Sequence, residues 1–562
     1  MPTQVTALAD RYIEAYFNAF PHQATLVGRA AGPHDRLPDI SAEARARWEA
    51  AEDSLLTRLE ALDTTKLTAG SAQAVTYGFL RAVLRNARDY RVCHIELWNV
   101  SPTWTGWPQE LALLANSQPL GTAEQNEAAY KRFSELPRYL DQEMANLRAG
   151  LERGYSAPHN NVRAVIQQVD ALLKAQLAES PFVSMAPDSL RDLRPRLEQL
   201  ETVQIRPAIQ RYRDFLQAEY LPRARNEVGV SANPEGASCY RAAVRYHATV
   251  DMSAEDIHRT GLEQMARIQS EMQKIAQRSF GTDNVDTVLK RLKTDRKYLL
   301  SSRDEMMKVA QGAVDRARAA VPKVFGNLPS AHVMVEPVAA FSEASAPGGF
   351  YSNPSEDGNR PGVYYINLRG AESKPRAGQE STAFHETYPG HHLQGALALE
   401  RKELHPMARY LYQSGFGEGW GLYSERLAEE LGLFSSDVDR MGLLSNEALR
   451  AARLVVDAGM HALGWPRPRA IDYMLANTAE SPDDVVSEID RYIAVPGQAT
   501  SYMLGNLEIR RLREQAQQQL GARFDLRAFH DQVLEDGAVP LSLLSEKIGR
   551  WVVGATNNGS RQ

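Results

Sequence analysis

Apolar residues recur with a helical period along most of this chain. Val5, Leu8, Tyr12, Tyr16 and Phe20 mark a first stripe, which Pro21 should end. Similar amphipathic patterns cover 41–62, 123–152, 160–176 and 188–219, the last carrying Leu190, Leu193, Leu197, Leu200 and Val203. Two more run over about 253–278 and 302–321. Asp251 and Ser253 are candidate caps for the first of these, with Glu255 and Asp256 in its first turn, where negative charge suits the helix dipole.

One region breaks the helical rhythm. His332-Val-Met-Val-Glu-Pro-Val and Gly362-Val-Tyr-Tyr-Ile-Asn-Leu are short and rich in β-branched and aromatic residues. Between them lies Pro347-Gly-Gly-Phe-Tyr-Ser-Asn-Pro-Ser-Glu-Asp-Gly-Asn-Arg-Pro-Gly, a turn-rich connection. The pattern predicts a mainly α protein with a small β-sheet inserted at 331–368. A Pro- and Gly-bearing stretch at 222–238 is the best boundary between an N-terminal helical lobe, 1–230, and a catalytic lobe, 231–562, the two forming one integrated unit. The tail after Gly554 should fray.

Bulk properties narrow the function. The 562 residues carry a net charge of −6, with both signs interspersed and no basic stripe, which argues against a nucleic-acid partner. Hydrophobic and charged fractions of 43% and 24% are ordinary for a soluble globular protein. No apolar run reaches the length of a membrane span. The start, Met1-Pro-Thr-Gln-Val-Thr-Ala-Leu, lacks the basic and apolar segments of a signal peptide. The expected location is the cytoplasm, with a trimmed secreted form as the alternative. Cys93 and Cys239 are read as two separate small buried hydrophobes in a reducing compartment.

The candidate chemistry lies in Ala383-Phe-His-Glu-Thr-Tyr-Pro-Gly-His-His-Leu-Gln394. Neutral imidazoles can hold zinc, and a carboxylate beside them can act on water. In the common arrangement two histidines stand four apart on one helix face. Here the residue four after His385 is Pro389, and His391 and His392 come six and seven later. On a regular helix position seven lies about 10 Å along the axis, too far for one ion with bonds near 2 Å. Pro389 cannot donate to the His385 carbonyl, and Gly390 can take backbone angles closed to other residues. The helix should therefore break at Pro389-Gly390. Looping out two residues brings His391 to the second ligand position, and looping out three brings His392 there. His391 is preferred, with His392 as a pocket residue or alternate ligand.

A second segment, Gly415-Phe-Gly-Glu-Gly-Trp-Gly-Leu-Tyr-Ser-Glu-Arg-Leu427, offers Glu418 as third ligand, between glycines that let backbones approach. Glu425, seven residues on, shares its face and could orient a ligating histidine or pair with Arg426. Glu429 and Glu430 read as a solvated face.

These strings resemble a bacterial family catalogued as domain of unknown function 885. The resemblance runs over nearly the whole chain and includes Asp357-Gly-Asn-Arg-Pro-Gly-Val-Tyr-Tyr-Ile-Asn, Arg453-Leu-Val-Val-Asp-Ala-Gly-Met-His and Pro496-Gly-Gln-Ala-Thr-Ser-Tyr. It implies a large two-lobed helical metallopeptidase-like fold, with one zinc ion in a deep central cleft. It also implies distant kinship with the angiotensin-converting enzyme, thimet oligopeptidase and thermostable carboxypeptidase families. Gly390-His391 is similar to the Gly-His that closes the motif in several of them.

The expected activity is that of a zinc peptidase cutting short peptides. His385, His391 and Glu418 hold the ion, and Glu386 takes the water's proton and returns it to the leaving amine. Tyr502 and His461 are candidate donors to the oxyanion. Arg453, Asp457 and His461, spaced by four on an apolar helix, could bind a substrate carboxylate, orient the zinc shell, or form a simple helix pair. Arg360, Tyr364, Tyr365 and Asn367 sit on an expected edge strand that could pair with an extended peptide. A homodimer is compatible with these features. The alternatives are a zinc hydrolase of non-peptide amides or esters, and a helical protein that binds metal without turnover. The latter has no need of a free carboxylate beside His385.

Overall fold

The computed structural model of the chain describes residues 2–338, 343, 347–356, 358 and 360–559. Helices make up most of it. The first stripe forms Pro2–Ala19, and Pro21 opens the next helix, Pro21–Leu26, at a position that needs no amide hydrogen. Ser253 caps the helix that starts at Ala254, its hydroxyl accepting from the Asp256 amide at 3.1 Å. Asp251 pairs with Arg245 instead, at 2.9 Å.

Prolines reshape two of the expected helices. The stretch 123–152 divides into Ala123–Ser134 and Leu136–Glu152, with Pro137 in the first turn of the second. The stretch 188–219 becomes Leu193–Leu200 and Arg206–Phe215, joined and followed by π-helical turns Glu201–Ile205 and Leu216–Tyr220. Pro207 and Pro222 cannot donate to the carbonyl four residues back, and the ladder widens just ahead of each. The tail does not fray after Gly554. Helix Leu541–Gly559 runs through it.

The sheet has strands β1 (Val333–Pro337), β2 (Gly349–Ser352) and β3 (Gly362–Ile366), in the order β1-β3-β2. β3 pairs parallel with β1 and antiparallel with β2. It is therefore the central strand and not the expected edge, so its backbone has no free side for a peptide. The cause is β2, which lies inside the segment read as pure connection. Phe350 stacks on Tyr365 of β3 at 5.1 Å and fixes that pairing. Asp357 and Asn359 of the connection lie outside the described residues.

Three hydrophobic clusters form the core. One joins Leu8–Leu84 with residues 300–552, a second joins residues from 93–292 with 422–504, and the third lies within 37–224. Among the described residues no helix is long and apolar enough to cross a membrane. The helices around the candidate site are α1 (Ala254–Ile275), α2 (Gln379–Glu386), α3 (His391–Glu400), α4 (Ser414–Glu430), α5 (Asp437–His461), α6 (Pro482–Ala494) and α7 (Ser501–Leu520).

Cys93 and Cys239 are buried as expected, each 1% exposed, but they are not separate. A disulfide joins them across 146 residues of sequence, with Cα atoms 4.6 Å apart. Helix Gly236–Ala248 packs on the turn Arg91–Cys93 and brings the two thiols together. Sequence distance had hidden this contact. Replacing both cysteines by serine should lower the unfolding free energy by about 2–5 kcal/mol, read from urea denaturation of oxidised protein. An unchanged midpoint would show that the bridge carries no stability.

Candidate metal centre

The His-Glu segment is two helices with a reversal between them. α2 ends at Glu386 and α3 starts at His391. Across the break the Gly390 amide donates to the Phe384 carbonyl at 3.1 Å, and the Leu393 amide to the Thr387 carbonyl at 3.3 Å. A Cβ on Gly390 would stand 1.9 Å from the His385 carbonyl oxygen, so only glycine fits there. The Pro389 carbonyl accepts from the Trp420 indole at 2.9 Å, which ties the reversal to α4.

The break brings His391 back toward His385. Their rings lie 4.7 Å apart at 89°. His385 Nε2 and His391 Nε2 stand 3.5 and 3.4 Å from the same oxygen, Oε2 of Glu418. One ligand atom from each residue falls within 4.8 Å of the others. Hydrogen bonds between such atoms span about 2.7–3.2 Å, and these separations exceed that range. Ligands with bonds of about 2.0–2.2 Å around a tetrahedral ion stand roughly 3.3–3.5 Å apart. The donor set and its spacing thus fit a zinc-like divalent cation, with His385, His391 and Glu418 as the residues to hold it. The two imidazoles hold the Glu418 carboxyl well below the usual range, against the effect of burial.

Glu425 is fully buried, and its Oε1 accepts from His385 Nδ1–H at 2.8 Å. Ser381 donates to its other oxygen, and Arg450 approaches Oε1 at 3.9 Å. Burial works against charge here, but Arg450, His385 and Ser381 together keep the carboxyl below its usual range. This bond fixes the ring's orientation and turns Nε2 toward Glu418, so that Nε2 is the nitrogen that would ligate an ion. Burial alone would lower the His385 pKa, but Glu418 and Glu425 hold it up at about 9.

Glycines on α4 make room for this packing. A Cβ on Gly421 would lie 2.6 Å from the His385 ring, and one on Gly419 would lie 2.5 Å from the Gly505 backbone of α7. Gly417 abuts the ring of Tyr412. Glu386 is half-buried beside this cluster, and its carboxylate has no hydrogen-bond partner among the described residues. Tyr364 of β3 faces it; burial first, and the Glu386 charge second, push that phenol up. The Tyr502 ring stacks 6.4 Å from that of His385, and the Arg453 guanidinium lies 4.2 Å from the Tyr502 ring centre.

Other expected residues do different work. His392 is fully buried away from the cluster, bonded to Tyr351 at 2.9 Å and to the Ala331 carbonyl and Tyr388 at 3.1 Å each. Both ring nitrogens are occupied, so it is not the alternate ligand. His461 accepts from the Val230 amide and donates to the Tyr492 carbonyl, each at 3.0 Å, and cannot serve an oxyanion. Asp457 accepts from Tyr240 at 2.7 Å and from the Gly497 amide at 3.1 Å; burial raises its pKa to about 7. It anchors a loop and binds no ligand. Arg360 bonds Ser352 at 2.9 Å and lines a separate cavity of about 2470 Å³ between β2 and the N-terminal helices. Helical spacing aligns residues but does not say which neighbour the shared face meets, and that misassigned His461 and Asp457.

Tyr412 was not singled out from sequence. It is 54% exposed, yet burial raises its phenol, followed by the Glu418 charge. A Cβ on Gly417 would lie 2.5 Å from the Tyr412 hydroxyl, so the phenol lies against α4 next to Glu418. Its only sequence signal is an aromatic residue just ahead of the glycine-rich string.

The family described as "Bacterial protein of unknown function (DUF885)" matches residues 21–548. No curated protein matches the chain. A solved structure of a "putative lipoprotein" from Colwellia psychrerythraea is similar over 98% of this chain and 99% of its own, with a TM-score of 0.91 and 29% identity. A "putative lipoprotein of unknown function" from Shewanella oneidensis is similar over 96% and 98%, with a TM-score of 0.73; at 18% identity it shares the fold.

Two outcomes follow from this geometry. His385→Ala should abolish stoichiometric zinc binding, and Glu425→Gln should weaken it by about 10–100-fold, both read by competition with a chromogenic chelator. Undiminished zinc in His385→Ala would remove the ligand assignment. Separately, burial lowers His461 to about 4 and His530 to about 3. The unfolded chain binds their protons near the usual 6.5, so it holds more protons than the native state below that pH. The contribution of each histidine to stability should therefore fall as pH drops from about 6.5 toward 4, by on the order of 3 kcal/mol at the lower end. Because Asp457 and Glu480, raised by burial to about 7, shift total stability the other way over the same window, the readout is the difference in urea midpoint between the parent and His530→Gln, and a difference that stays flat with pH would contradict it.

Proposed function

The chain belongs to that bacterial family of unknown function, and we propose that it is a zinc-dependent peptidase of short peptides. One observation carries the reading: two imidazoles and Glu418 converge at metal-ligand spacing beside Glu386, a carboxylate with no hydrogen-bond partner among the described residues. A purely structural zinc site is normally closed by four protein ligands and needs no such group. The ion supplies Lewis acidity, lowering the pKa of water toward about 7 and polarising a carbonyl.

The chain's own residues do the rest. Glu386 accepts a proton from the attacking water and delivers it to the leaving amine. Tyr502 donates to the oxyanion that forms on the scissile carbonyl, a role supported by the stacking of its ring on that of His385. Glu425 keeps His385 in one tautomer and one orientation. Tyr412 and Tyr364 bound the space above Glu418 and Glu386.

An oxidising compartment, in place of the expected cytoplasm, is the proposed place of action, supported by the bridge between Cys93 and Cys239. A buried disulfide fits an oxidising compartment better than the cytoplasm. The similar proteins described as putative lipoproteins support the same reading.

Digestion of a peptide library by zinc-loaded protein should yield cleavage that a chelator abolishes and zinc restores. Glu386→Gln should retain zinc and lose about 10²–10⁴-fold in rate. Full activity in that variant, or hydrolysis confined to esters, would overturn the proposal.

A further inference from the structure

Beside the candidate metal centre the fold keeps an arginine that its own contacts do not satisfy. Arg453 lies on α5 and is 5% exposed. Its Nε donates to the Tyr492 hydroxyl at 2.7 Å, and Nη2 donates to Glu488 at 2.7 Å. Nη1 is buried and has no partner. Arginine carries five donors in a rigid fork, and an unmet buried donor costs about 1–3 kcal/mol. A second guanidinium adjoins it. Arg491 of α6 donates to the same Glu488 oxygen at 2.9 Å and to Gln498 Oε1 at 2.5 Å. Tyr492 also donates to that oxygen, at 2.5 Å. Two cations thus share one carboxylate. Arg450 faces Glu425, and Glu480, raised by burial to about 7, supplies only part of a counter-charge.

The location ties this pair to the chemistry. The Tyr502 ring is the shared neighbour, its centroid 6.4 Å from that of His385 and 4.2 Å from the Arg453 guanidinium. The loop that delivers Tyr502 also delivers Gln498, whose Nε2 donates to Ser414 at 3.3 Å at the start of α4. Gly497 holds a positive φ of 78° there, and its amide is pinned by Asp457. A chain bound at the metal ligands reaches Tyr502 and the arginines within one or two residues, at about 3.3–3.6 Å each.

We propose that Arg453 and Arg491 form the subsite for the free C-terminal carboxylate of the substrate, which makes the enzyme an exopeptidase that releases one or two residues from the C-terminus. The proposal rests on the peptidase reading. A carboxylate accepts from the unpartnered Nη1 in a charge-assisted hydrogen bond, roughly twice as strong as the one a neutral amide makes. It also supplies the counter-charge that two guanidiniums sharing Glu488 lack.

The test uses zinc-loaded full-length protein and matched short peptides, each as free acid, C-terminal amide and N-acetylated free acid. Amidation should lower kcat/KM by roughly ten- to hundredfold, the worth of one charge-assisted pair, and N-acetylation should not. Products should be single residues or dipeptides from the C-terminus. In Arg453→Gln, or in Arg491→Gln if the first does not fold, the acid-to-amide ratio should collapse toward one. Equal cleavage of acid and amide, or internal fragments from long amidated peptides, would overturn the subsite while leaving the peptidase intact. If no peptide is cut, the peptidase reading fails. Calorimetry with a free dipeptide and its amide then decides the subsite directly: tighter binding of the acid, lost in the arginine variant, supports it, and equal binding ends it.

Discussion

A carboxylate with no access to solvent holds the candidate centre together. Glu425 sits wholly inside the protein, where an ionised group is costly unless several donors satisfy it. His385, Ser381 and Arg450 meet that need from α2 and α5, so α4 must lie where all three can reach it. The positions of α2, α4 and α5 are therefore coupled through one side chain. His385 cannot turn without breaking that bond, and Glu418, two turns earlier on α4, is carried to the opposite nitrogen of the same ring.

That coupling needs backbones to approach more closely than side chains usually permit. Gly419 lies against Gly505, Gly421 under the His385 ring, and Gly390 against the His385 carbonyl. Each position excludes even a methyl group. The aromatic residues around them fill the space left over. Trp420 is fully buried and holds the Pro389 carbonyl, so the same helix that presents Glu418 also fixes the reversal that presents His391.

The break at Pro389-Gly390 was legible because it follows from local hydrogen-bond arithmetic. A missing amide hydrogen and an unsubstituted Cα act within one turn. Glu418 was legible for a related reason, since glycines on both sides announce close approach. Long-range facts were not written in any local pattern. The third strand carries only Phe350 and Tyr351 as its signal inside a run of turn residues, and missing it turned the central strand β3 into an edge. The stripe of Arg453, Asp457 and His461 was seen as a face, but the identity of the facing elements decided that Arg453 meets Tyr502 while Asp457 and His461 serve the core. The pairing of Cys93 with Cys239 depends on the packing of one helix and one turn that periodicity does not relate.

The hydrophobic cluster that joins Leu8–Leu84 to residues 300–552 has a consequence during synthesis. The first helices leave the ribosome with an apolar face whose partners do not yet exist. At roughly 5–20 residues per second, those partners arrive only after tens of seconds. The nascent chain carries that uncovered face through the interval, so closure of this cluster is a late, post-synthetic event rather than one that grows with the chain.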